Sequence, residues 1–136
     1  MDTKTITFRA AAAALLTLAV LATGCDRGGP GRYEISGEVT HKGQPVPGGR
    51  ILFAPDGAQS NTGPGSVAEI HNGRYRTRRG LGAVDGPHLV TIYGTDGTVA
   101  TEERDNALFP EYQTTVDLPA GNARFDFDVP ERRGGG

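Results

Sequence analysis

Residues 67–78 read VAEIHNGRYRTR and hold the strongest local signal in the chain. Two runs in which apolar and polar residues alternate flank the dipeptide Asn72-Gly73, which is typical of a two-residue hairpin turn. A turn there places Ile70 opposite Tyr75, so that two apolar side chains meet on one face. Because this pairing agrees with the turn chemistry, the segment predicts a β-hairpin.

The second strand of this hairpin carries arginine at every other position. Arg74, Arg76 and Arg78 share one face because side chains alternate across a strand, and Arg79 follows them. The same register places Arg76 opposite Glu69, which predicts an acid–base pair. Two interpretations of this surface patch stay open. It binds anionic lipid headgroups or acidic polymers, or it is a solvated face partly paired by Glu69.

The two-residue period continues on both sides of the hairpin. Together with 21 glycines, 9 prolines and the lack of a helical apolar stripe after residue 25, it predicts an all-β domain rich in turns. With the hairpin, the candidates make seven short strands, as in an Ig-like β-sandwich. The five further strand candidates are Tyr33–Thr40, Arg50–Ala54, Gly86–Tyr93, Thr114–Leu118 and Ala123–Val129.

The two strand candidates closest to the C-terminus predict a second hairpin. The four residues Pro119–Asn122 between them have turn composition. A turn of that length places Val116 opposite Phe125 and directs Phe125, Phe127 and Val129 inward.

Length and charge restrict the classes of function. A chain of 136 residues has room for one domain. Its formal net charge of -2 supplies no field that attracts nucleic acid, so nucleic acid is not an expected partner.

The N-terminus has the three parts of a secretory signal peptide. Lys4 and Arg9 form a short positive region, Ala10–Ala22 is an apolar run, and small residues follow. At about 1.5 Å per residue the run covers roughly 20 Å, which is shorter than the ~30 Å core of a bilayer. We therefore expect a cleaved leader over residues 1–24, with a retained membrane anchor as the alternative.

The segment Leu21–Cys25 resembles the lipobox of bacterial lipoproteins, in which signal peptidase cuts before a cysteine that becomes acylated. The cut falls between Gly24 and Cys25, and Ala22 stands where the pattern usually has leucine. Acylation also accounts for the chain's single cysteine, for which an intermolecular disulfide is the alternative. Two or more acyl chains give stable anchoring. A membrane is thus the expected partner of Cys25, and the protein is expected in the periplasm or on the cell surface.

Several short motifs after the glycine-rich tether, residues 25–32, occur together in one known kind of domain. They are Ile35-Ser-Gly-Glu-Val-Thr40, the run from Lys42 to Phe53, Asn72-Gly73-x-Tyr75, Gly86-x-x-x-Val90-x-Ile92, Phe109-Pro-Glu-Tyr112 and the strand with Phe125 and Phe127. Residues 33–130 thereby resemble a carboxypeptidase regulatory-like domain, a transthyretin-like β-sandwich of bacterial surface lipoproteins. The resemblance implies a non-enzymatic envelope module, and residues 131–136 are expected to be a frayed tail.

No motif for catalysis or metal binding is recognised. His41, His71 and His88 lie far apart, and neither His-Glu-x-x-His nor Gly-x-Ser-x-Gly occurs. His41 and His71 flank turns and are expected to be solvated, and His88 is expected to be structural.

The connection formed by residues 94–113 is long enough to be functional or mobile. Its four carboxylates lack the alternating spacing of a calcium loop, and Leu108, Phe109 and Tyr112 are expected to pin its far end. We therefore expect no catalytic, cofactor-binding or metal site. The four acidic residues are Asp96, Glu102, Glu103 and Asp105.

These observations favour a lipid-anchored envelope module without turnover, whose partner is an envelope protein or polymer. Two alternatives stay open. A specific carbohydrate-binding protein would use the loops at the strand ends, although Trp is absent and only 5 Phe and 4 Tyr occur. A hydrolase would need a cluster of histidine, carboxylate and nucleophile that forms only in the fold.

Overall fold

The computed structural model describes residues 31–132. They form nine β-strands and one short 3₁₀ turn, so the predicted all-β class is confirmed. The predicted leader (1–24), the predicted lipidation site Cys25, residues 26–30 of the predicted tether and the end of the predicted tail from residue 133 lie outside the described residues. The elements are β1 (Ile35–His41), β2 (Gln44–Pro45), β3 (Gly48–Pro55), the 3₁₀ turn Gly57–Gln59, β4 (Ser66–His71), β5 (Arg74–Arg76), β6 (Gly86–Thr95), β7 (Tyr112–Leu118), β8 (Ala123–Arg124) and β9 (Phe127–Val129).

The nine strands belong to one curled sheet. Neighbours follow the order β2-β1-β5-β4-β3-β6-β7 and pair antiparallel, whereas β8 and β9 pair with β1 in parallel. Ser36 in β1 lies opposite both Arg76 of β5 and Arg124 of β8. These two strands therefore flank β1 on opposite edges. Between residues 31 and 132, no helix is long and apolar enough to span a bilayer.

The hairpin predicted around Asn72-Gly73 is confirmed. Ile70 lies opposite Tyr75, and both are buried. Asn72 and Gly73 have φ angles of 49° and 77°, as a type I′ turn requires. The predicted pairing of Glu69 with Arg76 is not formed, because β4 and β5 pair only at Ile70–Tyr75 and His71–Arg74, and Arg76 pairs with Ser36 of β1 instead.

Nine strands are found where seven were predicted. The additional strand β2 has only two residues and therefore shows no alternation that a sequence pattern could reveal. The predicted strand 123–129 is divided into β8 and β9. Both differences from the prediction involve strands of two or three residues. Such strands are too short to show a recognisable two-residue period in the sequence.

A glycine in β1 accounts for the division between β8 and β9. A Cβ on Gly37 would lie 1.8 Å from the Phe125 carbonyl oxygen, so only glycine allows this close approach of two backbones. The Tyr75 hydroxyl donates a hydrogen bond of 2.6 Å to the same oxygen. The Asp126 side chain then accepts from the Glu38 amide at 2.8 Å and substitutes for a backbone partner.

The predicted C-terminal hairpin is wrong. After Pro119–Asn122 the chain joins β1, and β7 pairs with β6 instead. The Asn122 side chain accepts a hydrogen bond from the Glu34 amide at 2.8 Å, which fixes this crossing. Alternation correctly predicted that Phe127 and Val129 face inward, but it does not identify the neighbouring strand.

The inward face of the curled sheet forms the hydrophobic core. The rings of Phe53, Tyr75 and Phe127 lie with their centroids within 6.3 Å of one another, a separation at which aromatic pairs attract. Burying each large apolar side chain stabilises the fold by about 1.5–3 kcal/mol. The core consists of Ile35, Val39, Val46, Ile51, Phe53, Ala68, Ile70, Tyr75, Ala83, Val90, Ile92, Leu118, Phe127 and Val129. The outward face carries mostly polar and charged residues, together with a few exposed apolar side chains such as Val67 and Leu89.

Candidate functional site

An open groove of about 920 Å³ lies on the outward face of β1, β4 and β5. Arginine dominates its charged lining, with five arginines against two glutamates. The groove therefore has an excess of three positive charges on a chain whose formal net charge is -2. Its charged residues are Arg32, Glu38, Glu69, Arg74, Arg76, Arg78 and Arg124.

The local structure of the β5 segment sets the direction of three of these arginines. Tyr75 and Thr77 are 4 % and 2 % exposed and point into the core. Arg74, Arg76 and Arg78 alternate with them and are exposed. The structure thus places the three arginines together on one face and along one groove, as the alternation predicted.

The carboxylate partners of these arginines differ from the predicted one. Arg76 pairs with Glu34 at 2.7 Å, and Arg74 lies 3.9 Å from Glu38. Within residues 31–132, Glu69 forms no ion pair shorter than 4.0 Å, so the expectation that it partly neutralises the row is wrong. The reason is the register of β1, which brings Glu34 and Glu38 to the other side of β5.

Two arginines of the groove were missed in the sequence because tertiary pairing brings them there. Arg32, the last residue of the predicted tether, donates from Nε to the Gly82 carbonyl at 2.8 Å and from Nη2 to the Gly65 carbonyl at 2.9 Å. Arg124 lies 3.5 Å from Glu38 and belongs to β8, which reaches β1 by the crossing that local patterns do not show. The alternating pattern of residues 123–129 predicts that Arg124 points outward, but it does not predict that β8 lies beside β1.

Arg78 has no carboxylate within 4.0 Å in the part of the chain that the structure describes. Arg78 is exposed, and it shares the groove with the half-exposed apolar side chains of Val67 (53 %) and Leu81 (50 %). An arginine presents a planar fork of donors that matches carboxylates and phosphates in a bidentate way. The groove is therefore chemically suited to hold anionic groups.

The connection between β6 and β7 that carries Asp96, Glu102, Glu103 and Asp105, here called the acidic connection, is held by its own hydrogen bonds and an ion pair. Asp96 accepts hydrogen bonds from the Thr98 amide and hydroxyl and pairs with Arg104 at 2.9 Å. The Thr98 hydrogen bonds, followed by the Arg104 charge, lower the pKa of Asp96. Within residues 31–132, no three His, Cys, Asp or Glu side chains come together as a metal site would require.

The anchoring of this connection was predicted in part. Phe109 and Tyr112 pack against the core, as expected, whereas Leu108 is 40 % exposed and does not. The connection is also shorter than 94–113, because β6 continues through Thr95.

The three histidines occupy different environments. His71 is exposed and lines the groove. The expectation that His41 is solvated is wrong, because its Nδ1 lies 2.9 Å from the Val129 carbonyl oxygen and its ring packs on Phe109. His88 is fully buried, with Nδ1 2.9 Å from the Gly86 carbonyl oxygen, and its Nε2 has no partner within residues 31–132.

Comparison with known proteins assigns no ligand to this groove. No family model matches the chain, and no curated protein matches it. Arginines are the most abundant charged side chains in the lining of the groove.

Proposed function

We propose that the protein is an exported lipoprotein, held outside the cytoplasm by a lipid on Cys25, whose β-rich domain binds a partner without chemical turnover. The arginine-lined groove is the observation that carries the binding role. It is open to solvent and has a local excess of positive charge. The partner is an envelope protein or polymer, and not nucleic acid.

The anchoring part of the proposal is supported by the order of features at the N-terminus. A positive region, an apolar run of 13 residues and the sequence Ala22-Thr-Gly-Cys25 follow one another. The described domain begins soon afterwards, since Arg32 and Tyr33 are already hydrogen-bonded to it. A lipid on Cys25 would then hold the groove close to a membrane.

The finer description of the fold as a two-layer, transthyretin-like sandwich of the carboxypeptidase regulatory-like kind is part of the same proposal. The apolar positions of the motifs support it, because they are core positions here. Examples are Ile35 and Val39 in β1, Phe53 in β3, and Val90 and Ile92 in β6.

Metabolic labelling with palmitate tests the anchor. The full-length chain is expressed in a bacterium that processes lipoproteins, and the membrane fraction is examined for label. We expect label on the wild type and none on Cys25→Ser, with the variant released into the soluble exported fraction. An unlabelled wild type, or label that survives in Cys25→Ser, contradicts the proposal.

A further inference from the structure

We propose that the groove binds a linear acidic polysaccharide, whose carboxylates pair with the row of arginines on the outward face of β5 and its continuation. The inference rests on the proposed binding role and adds the class of ligand.

The row is long enough for more than one anionic unit. Alternate residues of a strand are separated by roughly 6.6 Å, which is the spacing expected between Arg74 and Arg76 in β5, and Arg78 follows two residues beyond the end of that strand. A single small anion engages one or two such positions, whereas a chain with repeated carboxylates can engage all three. The spacing therefore favours a polymer.

Two of the guanidinium groups are available at one end of the groove. Arg78 has no carboxylate within 4.0 Å among residues 31–132. Arg32 is held by the carbonyls of Gly82 and Gly65 through Nε and Nη2, and its Nη1 makes no hydrogen bond to the described residues. Because those two bonds already fix its position, Arg32 loses little side-chain freedom on binding.

The groove also contains groups that suit hydroxyls. Glu38 and Glu69 line it alongside the arginines, and their carboxylates can accept hydrogen bonds from a polyol. The same carboxylates repel a ligand that carries only dense negative charge, such as polyphosphate. A sugar chain with both carboxylates and hydroxyls matches this mixed lining.

Three other partners fit the groove less well. An extended peptide of mixed composition presents fewer carboxylates to the arginines than an acidic polysaccharide does, although within residues 31–132 the β4 edge over residues 66–69 has no ladder partner on the β5 side. Nucleic acid finds no stacking surface on Tyr75, which lines the groove but is only 4 % exposed. A flat bilayer reaches the rim of a concave surface before its interior, so lipid headgroups make fewer contacts there than a polymer chain does.

Calorimetric titration of the full-length protein, purified in a neutral detergent, tests the inference with a galacturonate hexamer as the probe. We expect saturable binding that weakens as salt is raised, because exposed charge pairs are screened. Arg78→Gln is the decisive variant, since this substitution breaks no ion pair within residues 31–132. It should weaken binding about five- to tenfold through the loss of one charge-assisted contact.

The neighbouring Arg79 provides a matched control, because it is exposed but does not line the groove. Arg79→Gln removes the same charge and should leave the Kd within about twofold. Absence of binding, equal weakening by both variants, or equal binding of a neutral maltohexaose overturns the proposal. Binding to vesicles that contain anionic lipid, without binding to the saccharide, also overturns it and assigns the groove to a membrane surface.

The saccharide titration and the palmitate labelling fail independently. A protein that lacks the lipid but binds the galacturonate hexamer refutes the proposed anchor and supports the proposed ligand of the groove. A protein that is labelled with palmitate but does not bind the hexamer supports the proposed anchor and refutes the proposed class of ligand.

Discussion

The Tyr75 hydroxyl donates a hydrogen bond of 2.6 Å to the carbonyl oxygen of Phe125, which lies 50 residues further along the chain. This bond joins the β4–β5 hairpin to the C-terminal segment at the point where Gly37 lets the two backbones approach. It lies directly beneath the arginine row, since Tyr75 alternates with Arg74 and Arg76 on β5. Loss of this hydrogen bond should therefore destabilise both the β4–β5 hairpin and the C-terminal segment.

Tyr75→Phe should lower the free energy of unfolding by about 1–2 kcal/mol, because it removes one hydrogen bond and leaves a carbonyl without its donor. Urea denaturation followed by circular dichroism measures the change. Tyr112→Phe is the matched control, because the Tyr112 hydroxyl makes no hydrogen bond within residues 31–132. Equal effects of the two substitutions contradict this role of the Tyr75 bond.

Stability should fall as the pH rises above 10. Burial, and next the charge of Asp126, raise the pKa of Tyr75 above its ordinary value of 10.0. The unfolded chain therefore loses this proton before the folded chain does, so the contribution is complete below pH 10 and is lost as the pH rises toward the folded-state pKa. Denaturation curves between pH 8 and pH 11 should show a shallower decline for Tyr75→Phe than for the wild type. Parallel declines contradict this assignment.

Gly37→Ala should destabilise the protein by about 2–4 kcal/mol or prevent folding, because the new methyl group meets the Phe125 carbonyl oxygen. Gly57→Ala is the control, since a Cβ there meets nothing within 4 Å. Thermal unfolding of both variants provides the comparison. A Gly37→Ala protein as stable as the control shows that the two backbones can separate without cost.

Asp96→Ala should loosen the acidic connection while leaving the core intact. The substitution removes the acceptor of the two Thr98 hydrogen bonds and the partner of Arg104. Amide hydrogen exchange should become faster for residues 96–107 and stay unchanged in β3 and β6. Glu102→Ala removes an exposed carboxylate from the same connection and should leave exchange as it is. Unchanged exchange in Asp96→Ala means that other contacts order this segment.

The sequence was sufficient where a feature depends on neighbours in the chain. The Asn72-Gly73 turn needs two residues with positive φ, and asparagine followed by glycine is the pair that adopts this most readily. The outward direction of Arg74, Arg76 and Arg78 follows from the strand period alone. Both were therefore predicted correctly.

The features of the fold and of the groove that the sequence did not predict depend on contacts between distant segments. The Asn122 and Asp126 side chains accept hydrogen bonds from backbone amides 88 residues away. Those bonds help to hold the C-terminal segment beside β1, where a hairpin with β7 was predicted. No local sequence pattern predicts them. Arg32 and Arg124 join the groove for the same reason, so the sequence yielded only part of the site.

The position of β1 between the first and last parts of the chain also determines how the domain carries mechanical load. β1 begins at Ile35, and the parallel strands β8 and β9 run beside it on the edge opposite β5. A pull that enters before residue 31 and is directed along β1 would load the bonds on its two edges in shear, all together, instead of unzipping them one by one. Resistance to such tension would then depend on these pairings and not on equilibrium stability alone.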